Sequence, residues 1–162
     1  MIDIAYQKQM KQVKRGVFLT VEYAEELNTM TIGWFQLGYF WSREVMTVGV
    51  RQSRYTHDII GKADYYSVTI PQPHQFADEL LICGSKSGRD IDKFKVCNLP
   101  VSYHGDEKIP YIAIPGEHLF GKIVYKTTME EHEIGQSLDR HYPKKDFHTL
   151  YISEIIDRLI IS

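Results

Sequence analysis

The stretch that decides the fold is VMTVGVRQSRYTHDII, which occupies residues 45–60. Its first seven residues alternate between two faces, so that Met46 and Val48 share one of them. This period of two predicts a β-strand. The last five residues are typical of one helical turn, which Thr56 would cap and Gly61 would end.

Further runs of β-branched and aromatic residues lie on both sides of this stretch. Together with it they predict strands at residues 17–23, 30–35, 45–51, 65–70, 109–114, 118–127 and 148–156 or beyond. Many short strands need their edges closed, which favours a barrel. A chain of 162 residues is expected to form one domain, residues 1–162.

The regions between the strands predict one helix and one long loop. A helix is expected between Gln75 and Gly84, with Phe76, Leu80 and Leu81 on one face. Residues 129–146 are polar and contain glycine and proline. They are therefore predicted to form a surface excursion.

Charge and composition exclude several classes of function. The chain has 19 Lys and Arg against 21 Asp and Glu, for a net charge of −2. This balance argues against nucleic acid as a partner. No window approaches 18 uninterrupted apolar residues, so no membrane partner is expected. Aromatic residues make up 12%, which is typical of β structure and of walls for flat ligands.

Short catalytic and metal-binding motifs are missing from the sequence. Cys83 and Cys97 are too few for a disulfide framework or a zinc quartet, and both are interpreted as small buried side chains. No HExxH, GxSxG, Walker A or GxGxxG pattern occurs, so no metal site and no catalytic dyad are predicted. Residues 1–8 lack the apolar core of a signal peptide, and the cytoplasm is the expected compartment.

Two clusters of polar residues could bind an anion. Residues 51–56, RQSRYT, combine two guanidinium groups, two hydroxyl groups and a helix start, which can together hold a phosphate dianion. The alternative is a solvated strand end with a helix cap. The second cluster follows the predicted helix and is equally typical of a charged surface loop; it consists of Ser85, Lys86, Ser87, Arg89 and Lys93.

Residues 28–34, NTMTIGW, form an unusual strand. Small polar residues and a glycine leave backbone groups free beside the indole of Trp34, which suits a planar heterocycle with carbonyl groups and ring nitrogens at its edge. The alternative is an ordinary strand with Trp34 in the core.

In their order along the chain, these segments resemble the flavin reductase-like family of FMN-binding split barrels, and more narrowly its flavoredoxin-like branch. The resemblance spans roughly residues 16–156. It is carried by NTMTIGW at 28–34, VGVRQSRYTHDII at 48–60, YSVTIP at 66–71, SGRDIDKF at 87–94 and HTLYISEI at 148–155.

The resemblance implies a mainly β Greek-key split barrel with one or two short helices, which forms a homodimer and binds one FMN per subunit near the dimer interface. Asn28, Met30 and Thr31 would lie along the isoalloxazine, with Trp34 and Tyr55 as walls. The remaining residues that it implies are Arg51, Ser53, Arg54 and Thr56 at the phosphate, Ser85, Ser87 and Lys93 in a loop over the ribityl end, and His148 where a nicotinamide would approach.

Three positions depart from the pattern of the family. Glu44 stands where relatives commonly have proline, so the preceding turn is expected to differ. Gly121 stands where relatives often have cysteine, and Ser153 replaces a usual glycine, which is expected to shift the last strand. None of these changes removes an expected phosphate ligand.

Three functions are compatible with these residues. The first is an NAD(P)H-dependent flavin reductase, in which hydride passes from the nicotinamide of NADH or NADPH to FMN and no protein acid or base is required. The second is a flavoredoxin-like electron carrier that retains FMN and exchanges electrons with redox partner proteins. The third is a split barrel that binds another ligand, such as haem or a pyridoxal-type phosphate, or that has lost its cofactor.

Overall fold

Nine β-strands and a few short helices make up the computed structural model, which describes residues 6–162 and the side chains from residue 10 onward. The strands are β1 (Val17–Tyr23), β2 (Glu26–Ile32), β3 (Phe35–Phe40), β4 (Arg43–Arg51), β5 (Tyr65–Pro71), β6 (Val101–His104), β7 (Ile109–Ile112), β8 (Gly116–Thr128) and β9 (His148–Ile161). The helices are α1 (Tyr6–Val13), α2 (Tyr55–Ile60), α3 (Ala77–Ser85) and α4 (Lys93–Val96), and 3-10 turns occupy Glu131–Glu133 and Gln136–His141. The expectation about a signal peptide rests in part on residues 1–5, which lie outside the described residues.

Seven of the strands form one open antiparallel sheet in the order β2-β1-β5-β8-β9-β4-β3, while β6 and β7 pair separately. The mainly β architecture with short helices is confirmed. The two edges of the sheet, β2 and β3, are not paired with each other. The sequence predicts a barrel with closed edges, but hydrogen bonds do not close this sheet. The edges are instead consecutive in the chain, joined by Gly33 and Trp34.

Strand β1 lies between β2 and β5 in the sheet, and both of its faces are buried. Leu19 and Val21 contribute to the main core with residues from β2, β4, β5 and α2. Phe18 points to the other face, where it packs with Leu80 and Cys83 beneath α3. Both cysteines are free thiols; Cys83 is fully buried, whereas Cys97 is only partly buried, in contrast to the prediction.

The predicted strand at residues 30–35 proves to be the end of one strand and the start of another. Strand β2 ends at Ile32 and β3 begins at Phe35. Between them the carbonyl of Trp34 accepts a hydrogen bond from the N–H of Gly49 at 3.1 Å. A local period of two cannot reveal such a break, because the apolar pattern continues through it.

Other elements also differ from the sequence-based predictions. Strand β6 was not predicted, and β3 extends to Phe40. On α3, Leu81 was expected on the buried face but is 69% exposed, and the buried side chains are Leu80 and Cys83. Helix α2 begins at Tyr55 after Arg54, so Thr56 lies inside the helix and does not cap it.

The turn before β4 has the geometry of a tight hairpin. Trp41 and Ser42 have φ values of 50° and 57°, which matches the left-handed conformations of a two-residue hairpin turn. Glu44 lies within β4, opposite Tyr39. The turn that precedes Glu44 is therefore a regular two-residue connection between β3 and β4.

The departures at Gly121 and Ser153 are spatial neighbours across β8 and β9. A Cβ atom at residue 121 would lie 2.7 Å from the Cβ of Ser153 and would also clash with the Cε of Met46. The methionine end can move, but the Cβ of Ser153 is fixed to the backbone. A side chain at 121 with glycine at 153, or the reverse, fits this space, and the two departures therefore compensate each other.

Gly121→Ala is expected to lower the free energy of unfolding by about 1–3 kcal/mol, because overpacking displaces the backbone. Adding Ser153→Gly removes the contact with the fixed Cβ of Ser153, and the end of Met46 can move aside, so the double variant should recover most of that loss. Urea unfolding of the single and double variants measures this coupling. Gly38→Ala is the matched control, because a Cβ there meets nothing within 4 Å; a double variant no more stable than Gly121→Ala would contradict the assignment.

Candidate functional site

Two neighbouring clefts lie beside the break between β2 and β3, and they meet at Arg54. The first, named here the basic cleft, has a volume of about 230 Å³ and lies between β2, α2 and the loop after α3. The second, named the Trp34 trough, has a volume of about 200 Å³ and lies between residues 30–34 and the facing ends of β4 and β9. The predicted site residues all line one cleft or the other: Asn28, Ser53, Arg54, Thr56, Ser85, Ser87 and Lys93 line the basic cleft, and Met30, Thr31, Trp34, Arg51, Arg54 and His148 line the trough.

The basic cleft is lined by four cationic side chains, Arg54, Lys86, Arg89 and Lys93, and among the described residues its lining includes no carboxylate. Arg54 is half-buried and donates to the carbonyl of Gly84 at 2.8 Å. Burial is the main cause that lowers the pKa of this guanidinium. A buried cation that is only partly compensated favours an anionic ligand.

Lys93 is almost fully buried at the base of the cleft, with 2% of its surface exposed. Its Nζ donates to the carbonyls of Thr29 and Cys83, each at 2.9 Å, and so ties β2 to α3. Burial lowers the pKa of this ammonium to about 8. An ammonium has three N–H donors, so one donor is left for the cleft.

The loop after α3 lies directly against β2. A Cβ atom at Gly88 would overlap the side-chain amide of Asn28 and lie 2.8 Å from the ring of Tyr55, so this close approach requires glycine. Asn28 donates to the hydroxyl of Thr56 at 2.9 Å, which joins β2 to α2. The guanidinium of Arg89 lies 5.2 Å from the ring centre of Tyr55, which makes that ring a wall of the cleft.

The hydroxyl groups of the loop are already engaged near the cleft. Ser85 donates to the carbonyl of Leu81 at 2.7 Å, and Ser87 accepts from the N–H of Arg89 at 3.2 Å. A hydroxyl oxygen that donates once can still accept. Both serines therefore keep a polar atom for a ligand.

Trp34 forms the wall of the trough and does not lie in the core. The residue is 39% exposed, and its ring stacks on His148 with ring centres 3.9 Å apart. This exposure contradicts the alternative in which Trp34 is an ordinary core residue. Met30 is buried, and the Thr31 hydroxyl donates to the carbonyl of Leu80 at 2.6 Å, which ties β2 to α3 beside the trough.

Arg51 and Ser53, both predicted near a phosphate, hold the 129–146 excursion in place. The guanidinium of Arg51 donates to the carbonyls of His141 and Asp146, each at 2.9 Å. The hydroxyl of Ser53 donates to the carboxylate of Asp146 at 2.5 Å, and the Ser53 N–H donates to the same group at 3.1 Å. The excursion is thus a polar surface segment that is tied to the edge of the site.

The excursion brings residues to the site that sequence reasoning did not identify. Tyr142 and His141 lie edge-on to the Trp34 ring, with ring centres 6.1 and 5.9 Å away. Tyr142 is 8% exposed, although it lies in a stretch without regular apolar spacing. No local pattern marks these residues, because their contacts depend on the long-range bonds of Arg51 and Ser53.

His148 is a neutral histidine within the trough wall. It is 6% exposed, and burial, followed by the charge of Arg51, lowers its pKa to about 4. Its Nδ1 lies 2.9 Å from the hydroxyl of Tyr142. The ring is therefore uncharged at neutral pH and presents one polar nitrogen, Nε2, besides the one that contacts Tyr142.

Two further findings concern membrane spans and metal sites. None of the helices within residues 6–162 has the length and apolar character needed to cross a bilayer. In that same part of the chain, no group of three or more His, Cys, Asp and Glu side chains is arranged to hold a metal ion.

The fold agrees with the comparison to known proteins. The model of the flavin reductase like domain matches residues 10–161. The chain therefore belongs to the flavin reductase-like family of FMN-binding split barrels, and the split-barrel prediction is confirmed. By sequence, no curated protein matches the chain.

Several solved structures share the fold at low sequence identity. Flavoredoxin from Methanosarcina acetivorans is 22% identical with a TM-score of 0.70, over 91% of this chain and 68% of its own. An FMN-binding protein from Thermus thermophilus is 19% identical with a TM-score of 0.70, over 90% and 69%. An NADH:FAD oxidoreductase from Streptomyces globisporus is 17% identical with a TM-score of 0.67, over 99% and 87%.

Proposed function

We propose that this protein binds FMN and acts as an NAD(P)H-dependent flavin reductase. The observation that supports the proposal is the pairing of a carboxylate-free basic cleft with an adjoining trough that has an aromatic wall. Such a pair suits a ligand with a phosphate at one end and a flat ring system at the other. The donor set therefore fits FMN.

The residues divide the binding task between the two clefts. Arg54 and Lys93 would hold the phosphate by charge-assisted hydrogen bonds, with the serines of the loop as further partners. The backbone from Met30 to Trp34 would line the ring edge. FMN, when bound, would supply the redox chemistry by accepting hydride from NADH or NADPH. The protein itself would then need only to orient the two ring systems and to exclude water. The compartment we propose is the cytoplasm, which suits two free thiols.

A flavoredoxin-like electron carrier is the second candidate. The structural likeness to a flavoredoxin supports it, and the same clefts would serve both functions. Such a carrier would exchange electrons with redox partner proteins. The carrier would retain its FMN tightly, whereas a reductase that uses flavin as a substrate would exchange it.

A visible spectrum of the purified protein, with and without NADH or NADPH, tests the proposed function. We expect flavin absorption bands after addition of FMN, and bleaching of these bands when the nicotinamide nucleotide is oxidised. Tight flavin that neither nucleotide reduces would favour the electron carrier. Absence of flavin binding, or a haem or pyridoxal spectrum, would contradict both proposals.

Arg54→Ala is expected to weaken FMN binding by about 1.5–3 kcal/mol, a loss of roughly tenfold to hundredfold, because it removes a charged phosphate contact. Riboflavin, which lacks the phosphate, should bind with nearly unchanged affinity. Fluorescence titration measures both constants. Arg43→Ala is the control, since Arg43 pairs with Glu154 on the surface. Equal losses for FMN and riboflavin would rule out a phosphate contact.

We also propose that the chain forms a homodimer. Strand β3 is a sheet edge, and its end bears the exposed aromatic residues Tyr39, Phe40 and Trp41. Unpaired edges and grouped apolar side chains favour association. Sedimentation equilibrium should give twice the chain mass, and Trp41→Ser should weaken the dimer. A monomer at micromolar concentration would contradict this proposal.

A further inference from the structure

The hydroxyl group of Tyr142 lies between two acceptors at the back of the Trp34 trough. Its oxygen is 3.0 Å from the sulfur of Met129 and 2.9 Å from Nδ1 of His148. Tyr142 and His148 are each more than nine-tenths buried. Met129 and Tyr142 both belong to the 129–146 excursion, whereas His148 begins β9.

A phenol has one proton, and a thioether has none. The sulfur can therefore accept from Tyr142 but cannot donate to it. At 3.0 Å, a sulfur and an oxygen without a hydrogen between them would repel through their lone pairs. The short contact to Met129 is explained if the Tyr142 proton points at the sulfur.

The remaining contact then determines the protonation of His148. When the Tyr142 proton is used by Met129, only lone pairs of the phenol oxygen face Nδ1. A hydrogen bond at 2.9 Å then requires that Nδ1 carries the imidazole proton. Because the ring is neutral, Nε2 is left without a proton.

We propose that Met129 and Tyr142 are positioning residues that fix His148 in the Nδ1–H tautomer, so that Nε2 is a hydrogen-bond acceptor in the trough wall. Among the described residues, Nε2 has no hydrogen-bond partner. It would accept from an N–H group at the edge of a heterocycle or from a carboxamide. This role for Nε2 rests on the proposed function, but the tautomer itself does not.

The surroundings of His148 are compatible with this arrangement. Trp34 covers one face of the ring at 3.9 Å. The charge of Arg51 opposes protonation of the imidazole, and only the weaker effect of Asp146 favours it. The ring therefore stays neutral, and a single tautomer can be set by the contact at Nδ1.

Long-range ¹H–¹⁵N correlation spectra of the flavin-free protein at neutral pH test the proposal, because protonated and bare imidazole nitrogens differ strongly in ¹⁵N shift. His148→Gln assigns the signals. We expect the Nδ1–H pattern in the unchanged protein. Met129→Leu, a swap of similar volume, should release the Tyr142 proton to Nδ1 and convert the pattern to Nε2–H.

Two controls separate this effect from a general disturbance. Met10→Leu changes a methionine that packs against the core and should leave the His148 pattern unchanged. The signals of His57, whose Nε2 contacts the hydroxyl of Thr149 at 2.9 Å, should be unaltered in every variant. Tyr142→Phe should give a mixture of both tautomers, since the phenol oxygen is gone.

An Nε2–H pattern in the unchanged protein would overturn the proposal, as would an unaltered pattern in Met129→Leu. Both results are read without flavin. Failure of the proposed function, seen as lack of FMN binding, is therefore distinguishable from failure of the tautomer assignment.

Discussion

The hydrogen bond from the N–H of Gly49 to the carbonyl of Trp34 is the contact on which the site depends. It joins the link between β2 and β3 to β4, one residue before β3 begins. The chain therefore leaves one edge of the sheet and starts the other within two residues. The ring of Trp34 is turned outward at this break, and a Cβ at Gly49 would approach both Trp34 and His148.

The second constraint is the attachment of the 129–146 excursion. Arg51 ends the strand that carries Gly49, and Ser53 lies in the turn that follows. Their polar groups bind the carbonyls and carboxylate of the excursion. This attachment places Tyr142 behind His148. A segment with little regular structure thereby acquires a defined position, and the site includes side chains from four distant parts of the sequence.

The sequence predicts β1 from its β-branched and aromatic residues and β4 from its unbroken period of two. It does not predict the break at Gly33, because local apolar patterning is continuous there. The site residues could be predicted as a set only because motifs of a known family occur in order. Tyr142 could not be, since its place depends on a contact between Arg51 and residues about 90 positions later in the chain.

The overall charge of −2 excludes a bulk electrostatic binder, yet it says little about local charge. Four cations converge on the basic cleft, while the adjacent His148 is held neutral by burial and by Arg51. The basic cleft and the trough meet at one residue, Arg54, which lines both of them. The basic cleft would suit the anionic end of a ligand, and the trough would suit its uncharged end. Protonation of His148 would place a further cation beside Arg51 and reduce this difference between the two clefts.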